Sequence, residues 1–302
     1  MKKLGLIGLG AVGHRLAIRL LEHFGELDVL DVDLDKATAL VERGATISAN
    51  PRTLAGQADI LLLSLPSPSA VSNVMEGPDG ILAGIGHGTI VLDTSTLDPD
   101  ASVAWASATS RCGGHYLDAP MTCSVTSGGG TAAAERGELT FLVGGDVSPF
   151  EEVRHVLESL GRCVHHLGPA GSGSVMKLVS NHISGIQTLA IAEALNLAEV
   201  CGFSPHHTLD ICADTVANSY VLESVVKARL DNPEGTAHFA IELMGKDHRL
   251  ARTLAEKHGV AMPMNDVALE LCDAMCEAGY ARRDNVASVE YFAGLNRQPA
   301  DE

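Results

Sequence analysis

At 302 residues, 46% of them apolar, the chain is long enough for two domains with packed cores. Its formal net charge of −17, with no compensating basic block, excludes a nucleic-acid surface. Seven cysteines at scattered spacing predict reduced thiols and a cytoplasmic location. Only two lysines and a short apolar run precede the first glycines, so neither a signal peptide nor a membrane span is expected.

The opening Leu4-Gly-Leu-Ile-Gly-Leu-Gly reads as a short buried strand running into Gly8-Leu9-Gly10-Ala11-Val12-Gly13. An amphipathic helix follows, with Val12, Leu16, Leu20 and Phe24 on one face. Val29-Leu30 then predicts a second strand ending at Asp31. Strand, glycine turn, helix, and a strand closed by an acid form the context a dinucleotide-binding turn requires. Gly8 serves the tight turn, Gly10 lets a pyrophosphate approach the backbone, and Gly13 permits close helix–strand packing. The pyrophosphate would sit at the helix N-terminus, where unpaired N–H groups and the dipole favour negative charge. Asp31 can accept hydrogen bonds from ribose hydroxyls and repel a 2′-phosphate. No Arg follows it, so NAD is favoured over NADP.

Alternation continues with strands predicted over 59–65 and 89–93, and helical character over 69–75 and 81–82 between them. Thr94-Ser95-Thr96 forms a polar loop at the carboxyl end of a strand, the edge where ligands bind in open α/β sheets. Further short strands are predicted over 115–118, 139–143 and 163–166, with a helix over 148–160 separating the last two. This pattern predicts a doubly wound α/β sheet with helices on both faces.

After Leu167-Gly168-Pro169, the stretch Gly171-Ser-Gly-Ser-Val-Met-Lys-Leu-Val-Ser-Asn181 opens a helical pattern that only Gly185 interrupts before Gly202. Ser172 or Ser174 can cap its start. A helix reaching Cys201 would be about 40 Å long. Lys177 and Asn181, spaced i and i+4, share a face that Ser174 and Ser184 extend. Val175, Leu178, Val179 and Ile183 are expected to pack around that polar stripe. Beyond Gly202 the pattern is helical over 205–213, 221–227, 239–257, 265–278 and 286–295. The domains expected are a Rossmann-type domain over 1–168, an interdomain helix over 169–202, and an all-helical domain over 203–302. His165-His166 and His206-His207 are adjacent pairs whose rings point apart, and no carboxylate stands at ligand spacing. Cys272 and Cys276 lack a second pair, so no metal is expected.

Six motifs then occur in order: Gly5-Leu-Ile-Gly-Leu-Gly-Ala-Val-Gly13; Leu65-Pro66; Asp93-Thr-Ser-Thr-Leu-Asp-Pro99; Asp118-Ala-Pro120 with Gly137-Glu-Leu-Thr140 and Val143-Gly-Gly-Asp146; Gly171-x-Gly173-x-x-x-Lys177-x-x-x-Asn181; and Lys246-Asp247 before Leu250-Ala251. With them the chain resembles, over nearly its whole length, the β-hydroxyacid dehydrogenases, the family of 3-hydroxyisobutyrate dehydrogenase and tartronate semialdehyde reductase. The resemblance implies NAD-dependent hydride transfer between nicotinamide and a small 3-hydroxy acid or semialdehyde, in a homodimer or homotetramer. It implies cofactor contacts from Leu65, Pro66 and Thr96, and from Lys246, which Asp247 would hold. The catalytic helix would supply Lys177 as general acid/base and Asn181 to place the substrate. Removing hydride from a carbinol carbon also requires removing the hydroxyl proton, hence the base. A free lysine titrates near ~10.4, but desolvation and a positive nicotinamide ring would favour its neutral form.

One departure concerns the substrate loop. The family usually follows Asp-Ala-Pro with a hydrophobic residue and Ser-Gly-Gly, whereas here Met121-Thr-Cys-Ser-Val-Thr126 intervenes before Ser127-Gly128-Gly129. Either those three residues keep the role of holding the substrate carboxylate, or Thr122-Cys123-Ser124 replaces them. Glycine N–H groups suit a carboxylate better. Two alternatives share the scaffold: an imine reductase-like enzyme, whose relatives generally carry a different residue at the lysine position, and a non-catalytic NAD-binding protein.

Overall fold

The computed structural model describes residues 2–123, 130–230 and 237–296. Its contacts divide the chain into two units, Met1–Lys177 and Leu178–Glu302. In the first, β1 (Leu4–Ile7), α1 (Gly13–Phe24), β2 (Leu27–Leu30), α2 (Thr38–Val41), β3 (Ala45–Ile47) and α3 (Pro51–Gln57) lead to β4 (Ile60–Leu63). There follow α4 (Pro68–Met75), α5 (Ile81–Gly84), β5 (Ile90–Asp93), α6 (Pro99–Arg111) and β6 (His115–Asp118). All six strands are parallel, in the order β3-β2-β1-β4-β5-β6. The order reverses between β1 and β4, which creates the crevice where this architecture binds ligands.

Unbroken apolar runs such as Ile60-Leu61-Leu62-Leu63 make sense only in a sheet covered on both sides. Successive side chains go to opposite faces. Ile60, Leu62 and Leu92 join one core with Leu16, Ala17, Leu20 and Leu21 of α1. Ile7, Leu61, Leu63 and Val91 join another with Leu54, Val71, Met75 and Ile81. Helix starts carry their own signals: Asn50, Ser67 and Asp98 each accept a backbone N–H two or three residues on, with Pro in the first turn. Each such cap stabilises by about 0.5–2 kcal/mol.

The strands expected over 139–143 and 163–166 do form, but not in the main sheet. β7 (Met121–Cys123), β8 (Leu139–Val143) and β9 (Gly161–His166) make a second sheet, with β7 antiparallel and β9 parallel to β8. The helices α7 (Gly130–Arg136) and α8 (Val147–Leu160) accompany it. The chain leaves the main sheet through Ala119-Pro120. Pro120 has no N–H to extend a ladder, and its carbonyl accepts from Leu142 in the smaller sheet. Residues 121–123, expected as part of an inserted loop, are therefore strand.

α9 (Ser172–Val200) runs 29 residues without a break at Gly185, about 43 Å at 1.5 Å per residue. The division between the units falls inside it. In the second unit come α10 (Pro205–Ala213), a π-helical stretch (Val221–Lys227), α11 (Ile241–His258), α12 (Pro263–Met275) and α13 (Ser288–Leu295). Leu189 and Ala192 of α9 share a core with Met244, Ala268, Cys272 and Phe292. Among the described residues, no helix is long and apolar enough to cross a membrane.

The start of α9, where Ser172 or Ser174 was expected as cap, is held by an acid from β6. Asp118, at the end of β6, accepts the Gly171 N–H on Oδ1 (2.7 Å) and the Ser174 N–H on Oδ2 (2.8 Å). The Ser174 hydroxyl instead meets Ser102 at 2.9 Å, and both serines are fully buried. Gly173 is needed here, because a Cβ would lie 2.1 Å from the Leu142 carbonyl oxygen. From Ser102 the buried polar chain continues to the Tyr116 hydroxyl, which donates to Asp93 Oδ2 at 2.8 Å. Asp93 in turn accepts the Ser95 N–H and shapes the loop after β5. Burial pushes Asp93 up from 3.8 to about 6, against hydrogen bonds from Ser95 and Tyr116.

An acid whose pKa is raised on folding weakens the fold as it ionises. Stability from this group thus falls as pH rises from about 4 through 6, and is level above. Tyr116→Phe removes a donor to a carboxylate at pH 8 but to a neutral acid at pH 5. The expected loss is about 1.5–3 kcal/mol at pH 8 and about 0.5–1.5 kcal/mol at pH 5. Urea midpoints at the two pH values measure it, and equal losses would show that Asp93 does not ionise between them.

Candidate active site

The glycine turn is built as its spacing predicts. Gly8 has φ +98°, and a Cβ there would lie 2.3 Å from the Ser64 carbonyl oxygen. A Cβ on Gly13 would lie 2.0 Å from the Gly8 carbonyl oxygen, so α1 starts hard against the turn. Gly10 differs: around it is open space, with no protein atom within 4 Å of an added Cβ. Gly10 therefore leaves the space above the turn open, as the approach of a pyrophosphate would need. α1 has neither a side-chain cap nor an acid in its first turn. An uncapped N-terminus beneath an open glycine, with Ala11 and Val12 between, fits a pyrophosphate.

Asp31, at the end of β2, is nearly buried. Its Oδ2 accepts the Leu9 N–H at 2.6 Å, and its Oδ1 accepts the Asp33 N–H at 2.9 Å. Burial opposes its ionisation, but these two N–H bonds and Lys36 prevail and hold the carboxyl below 3.8. Leu9 thus spends its N–H on Asp31. Lys36 was not anticipated: it stands five residues on, in the 3-10 turn Leu34–Ala37, and reaches Asp31 Oδ1 at 3.2 Å. The signal for it was a cation in the turn after the acid, not beside it. Val32 is fully exposed.

Along the same carboxyl edge, Leu65 and Pro66 follow β4 and Thr94-Ser95-Thr96 follows β5. The two loops are stitched together, since Leu65 N–H donates to Ser95 Oγ at 3.1 Å and Thr94 Oγ1 donates to the Leu63 carbonyl at 2.6 Å. Asp118, expected to open the substrate loop, also fastens the start of α9. A buried acid at a strand end facing a Gly-x-Gly helix start was its sequence signal.

Lys177 is half-buried and is the last residue of the first unit. One turn on, Asn181 donates from Nδ2 to Oδ2 of buried Asp247 at 2.5 Å. The other oxygen of Asp247 lies 3.2 Å from Lys246 Nζ. Two motifs 66 residues apart thus meet on one carboxylate, within the second unit. The apolar packing expected around the stripe is only partly present: Leu178 is buried, but Val179 and Ile183 are 45% and 54% exposed on the outer side of α9. Ser127, Gly128 and Gly129 lie outside the described residues. His166 stacks on Phe150 and bonds the Gly145 carbonyl, which gives it a structural role. Among the described residues, no group of three potential metal ligands occurs.

Two family models match in tandem: the NAD binding domain of 6-phosphogluconate dehydrogenase over residues 3–168, and the NAD-binding region of NADP-dependent 3-hydroxyisobutyrate dehydrogenase over residues 171–292. The chain is 32% identical over 290 residues to 2-(hydroxymethyl)glutarate dehydrogenase of Eubacterium barkeri, covering 96% of this chain and 94% of that one. It is also 32% identical over 290 residues to the NAD-dependent L-serine dehydrogenase of Pseudomonas aeruginosa, covering 94% and 95%. A solved structure of Mycobacterium tuberculosis 3-hydroxyisobutyrate dehydrogenase with L-serine superposes with a TM-score of 0.84 at 26% identity, over 97% of this chain and 99% of that one. Two family models in tandem and relatives matched over nearly the whole length agree, and this chain belongs to their family, the β-hydroxyacid dehydrogenases.

Proposed function

We propose that this oxidoreductase transfers hydride between NAD and a small 3-hydroxy acid or its semialdehyde, with Lys177 as general acid/base. The observation that carries the reading is the Asn181–Asp247–Lys246 chain, one helical turn from Lys177. NAD, when bound, accepts hydride in one direction and donates it in the other. In the oxidative direction neutral Lys177 takes the hydroxyl proton; in reverse its ammonium returns a proton to the aldehyde oxygen. Asn181, its amide held by Asp247, orients the substrate hydroxyl. Backbone N–H groups of Ser127 to Gly129 hold the carboxylate, and Lys246 contacts the cofactor.

The substrates named for the relatives, 2-(hydroxymethyl)glutarate, L-serine and 3-hydroxyisobutyrate, share a CH2OH group on the carbon that bears a carboxylate. Residues 121–126 carry no cation to bind a second acid. A compact monocarboxylate of that pattern is therefore the proposed substrate, in a cytoplasmic homodimer or homotetramer. Lys177 at the family's motif position supports the hydroxy acid over an imine. The ionised Asp31 supports NAD over NADP, because its charge would face a 2′-phosphate.

Lys177→Ala is expected to fold, bind NAD and lose about 10²–10⁴-fold in kcat. Turnover followed by NADH absorbance measures it, and near-parental kcat without added amine eliminates the role. Asp31→Asn combined with Val32→Arg removes the repelling charge, keeps an acceptor for the Leu9 N–H and adds a phosphate partner. It is expected to shift kcat/KM towards NADPH. A parent enzyme that already prefers NADPH would overturn the assignment.

A further inference from the structure

His248, the residue after Asp247 on α11, is 1% exposed. Asn265 of α12 grips it twice. Its Nδ2 donates to the His248 carbonyl oxygen at 3.0 Å, and its Oδ1 faces the ring Nδ1 at 2.9 Å. The first bond fixes the amide, since only its NH2 end can donate to a carbonyl. Nδ1 therefore carries the ring proton, and Nε2 keeps a bare lone pair. That nitrogen is buried without a hydrogen-bond partner. It lies against α9, where a Cβ on Gly185 would be 2.4 Å from it. The glycine inside α9 is thus the place where the imidazole enters the helix surface.

Gly185 is one turn beyond Asn181, and His248 is next to Asp247. The ring contact and the Asn181–Asp247 bond are consecutive contacts between the same two helices. We propose that His248 is a positioning residue: gripped by Asn265 and seated against Gly185, it sets the separation of α9 and α11 at which Asp247 holds Asn181 and Lys246. This rests on the roles proposed above for those two residues. A larger group at Gly185, or a ring turned over, would part the helices and release the amide.

The titratable groups facing the ring are His182 of α9, edge-on at 5.7 Å, and Asp247 of its own helix; α12 faces it with uncharged Asn265. Burial foremost, then His182, outweigh Asn265 and Asp247 and keep the imidazole neutral below its ordinary 6.5. A second ring proton would place an N–H against Gly185 with no acceptor.

The test uses cofactor-free protein and a mutant cycle. Ring 15N shifts are expected to show neutral His248 with the proton on Nδ1 at pH 6.5; an Nε2–H tautomer or a half-protonated ring there overturns the proposal. His248→Leu is expected to move the Asn181 side-chain amide signals as Asp247→Ala does, and to lower kcat about 10²-fold. The double variant should be no worse than Asp247→Ala alone, because one effect acts through the other. Unmoved amide signals or additive losses overturn it. A parent that oxidises no 3-hydroxy acid defeats the functional reading, while the ring and amide signals still decide the role of His248.

Discussion

The start of α9 depends on one carboxylate. Asp118 is the last residue of β6, buried, and bonded to two N–H groups at the beginning of the helix. Burial pushes its carboxyl up, and hydrogen bonds from Gly171 and Ser174 oppose that. The strand end thereby aims the helix that carries Lys177. Gly173 and Gly144 allow this close approach, since a Cβ on either would collide with backbone or with Asp118 itself.

The same buried region ties the loop after β5 to that helix start. Asp93, Tyr116, Ser102, Ser174 and Asp118 form an unbroken line of polar groups under the carboxyl edge of the sheet. Each is closed off from solvent, so each must find its partner within the line. A line satisfied along its length has little freedom to rearrange, which suits loops that must present atoms to a ligand.

Much of this was legible in the sequence because it rests on local rules. The glycine turn, the strand-ending Asp31 and the Lys177–Asn181 spacing depend on residues a few positions apart, and periodicity located most helices. What was not legible depends on distant pairs. β3 has three residues, too few for a period to emerge, and α6 mixes small polar and apolar residues so that no stripe stands out. The second sheet could not be told from a continuation of the first, because strand pattern reports faces and not partners. Lys36 was missed because the cation beside Asp31 comes from a turn, not from the next residue. Val179 and Ile183 looked like packing residues by type, yet helix geometry turns them outward. Gly185 read as an interruption because the imidazole it admits lies 63 positions away.

The proline exit after β6 has an evolutionary corollary. The pairing of β1 to β6 is complete before Pro120, and β8 and β9 set their own register afterwards. Length can therefore change between Pro120 and β8 without shifting a single pair in the main sheet. A lineage can change the length of that segment while inheriting the main sheet and its glycine turn intact. In that sense the break in the ladder is a seam, along which length can vary and the dinucleotide fold stays fixed.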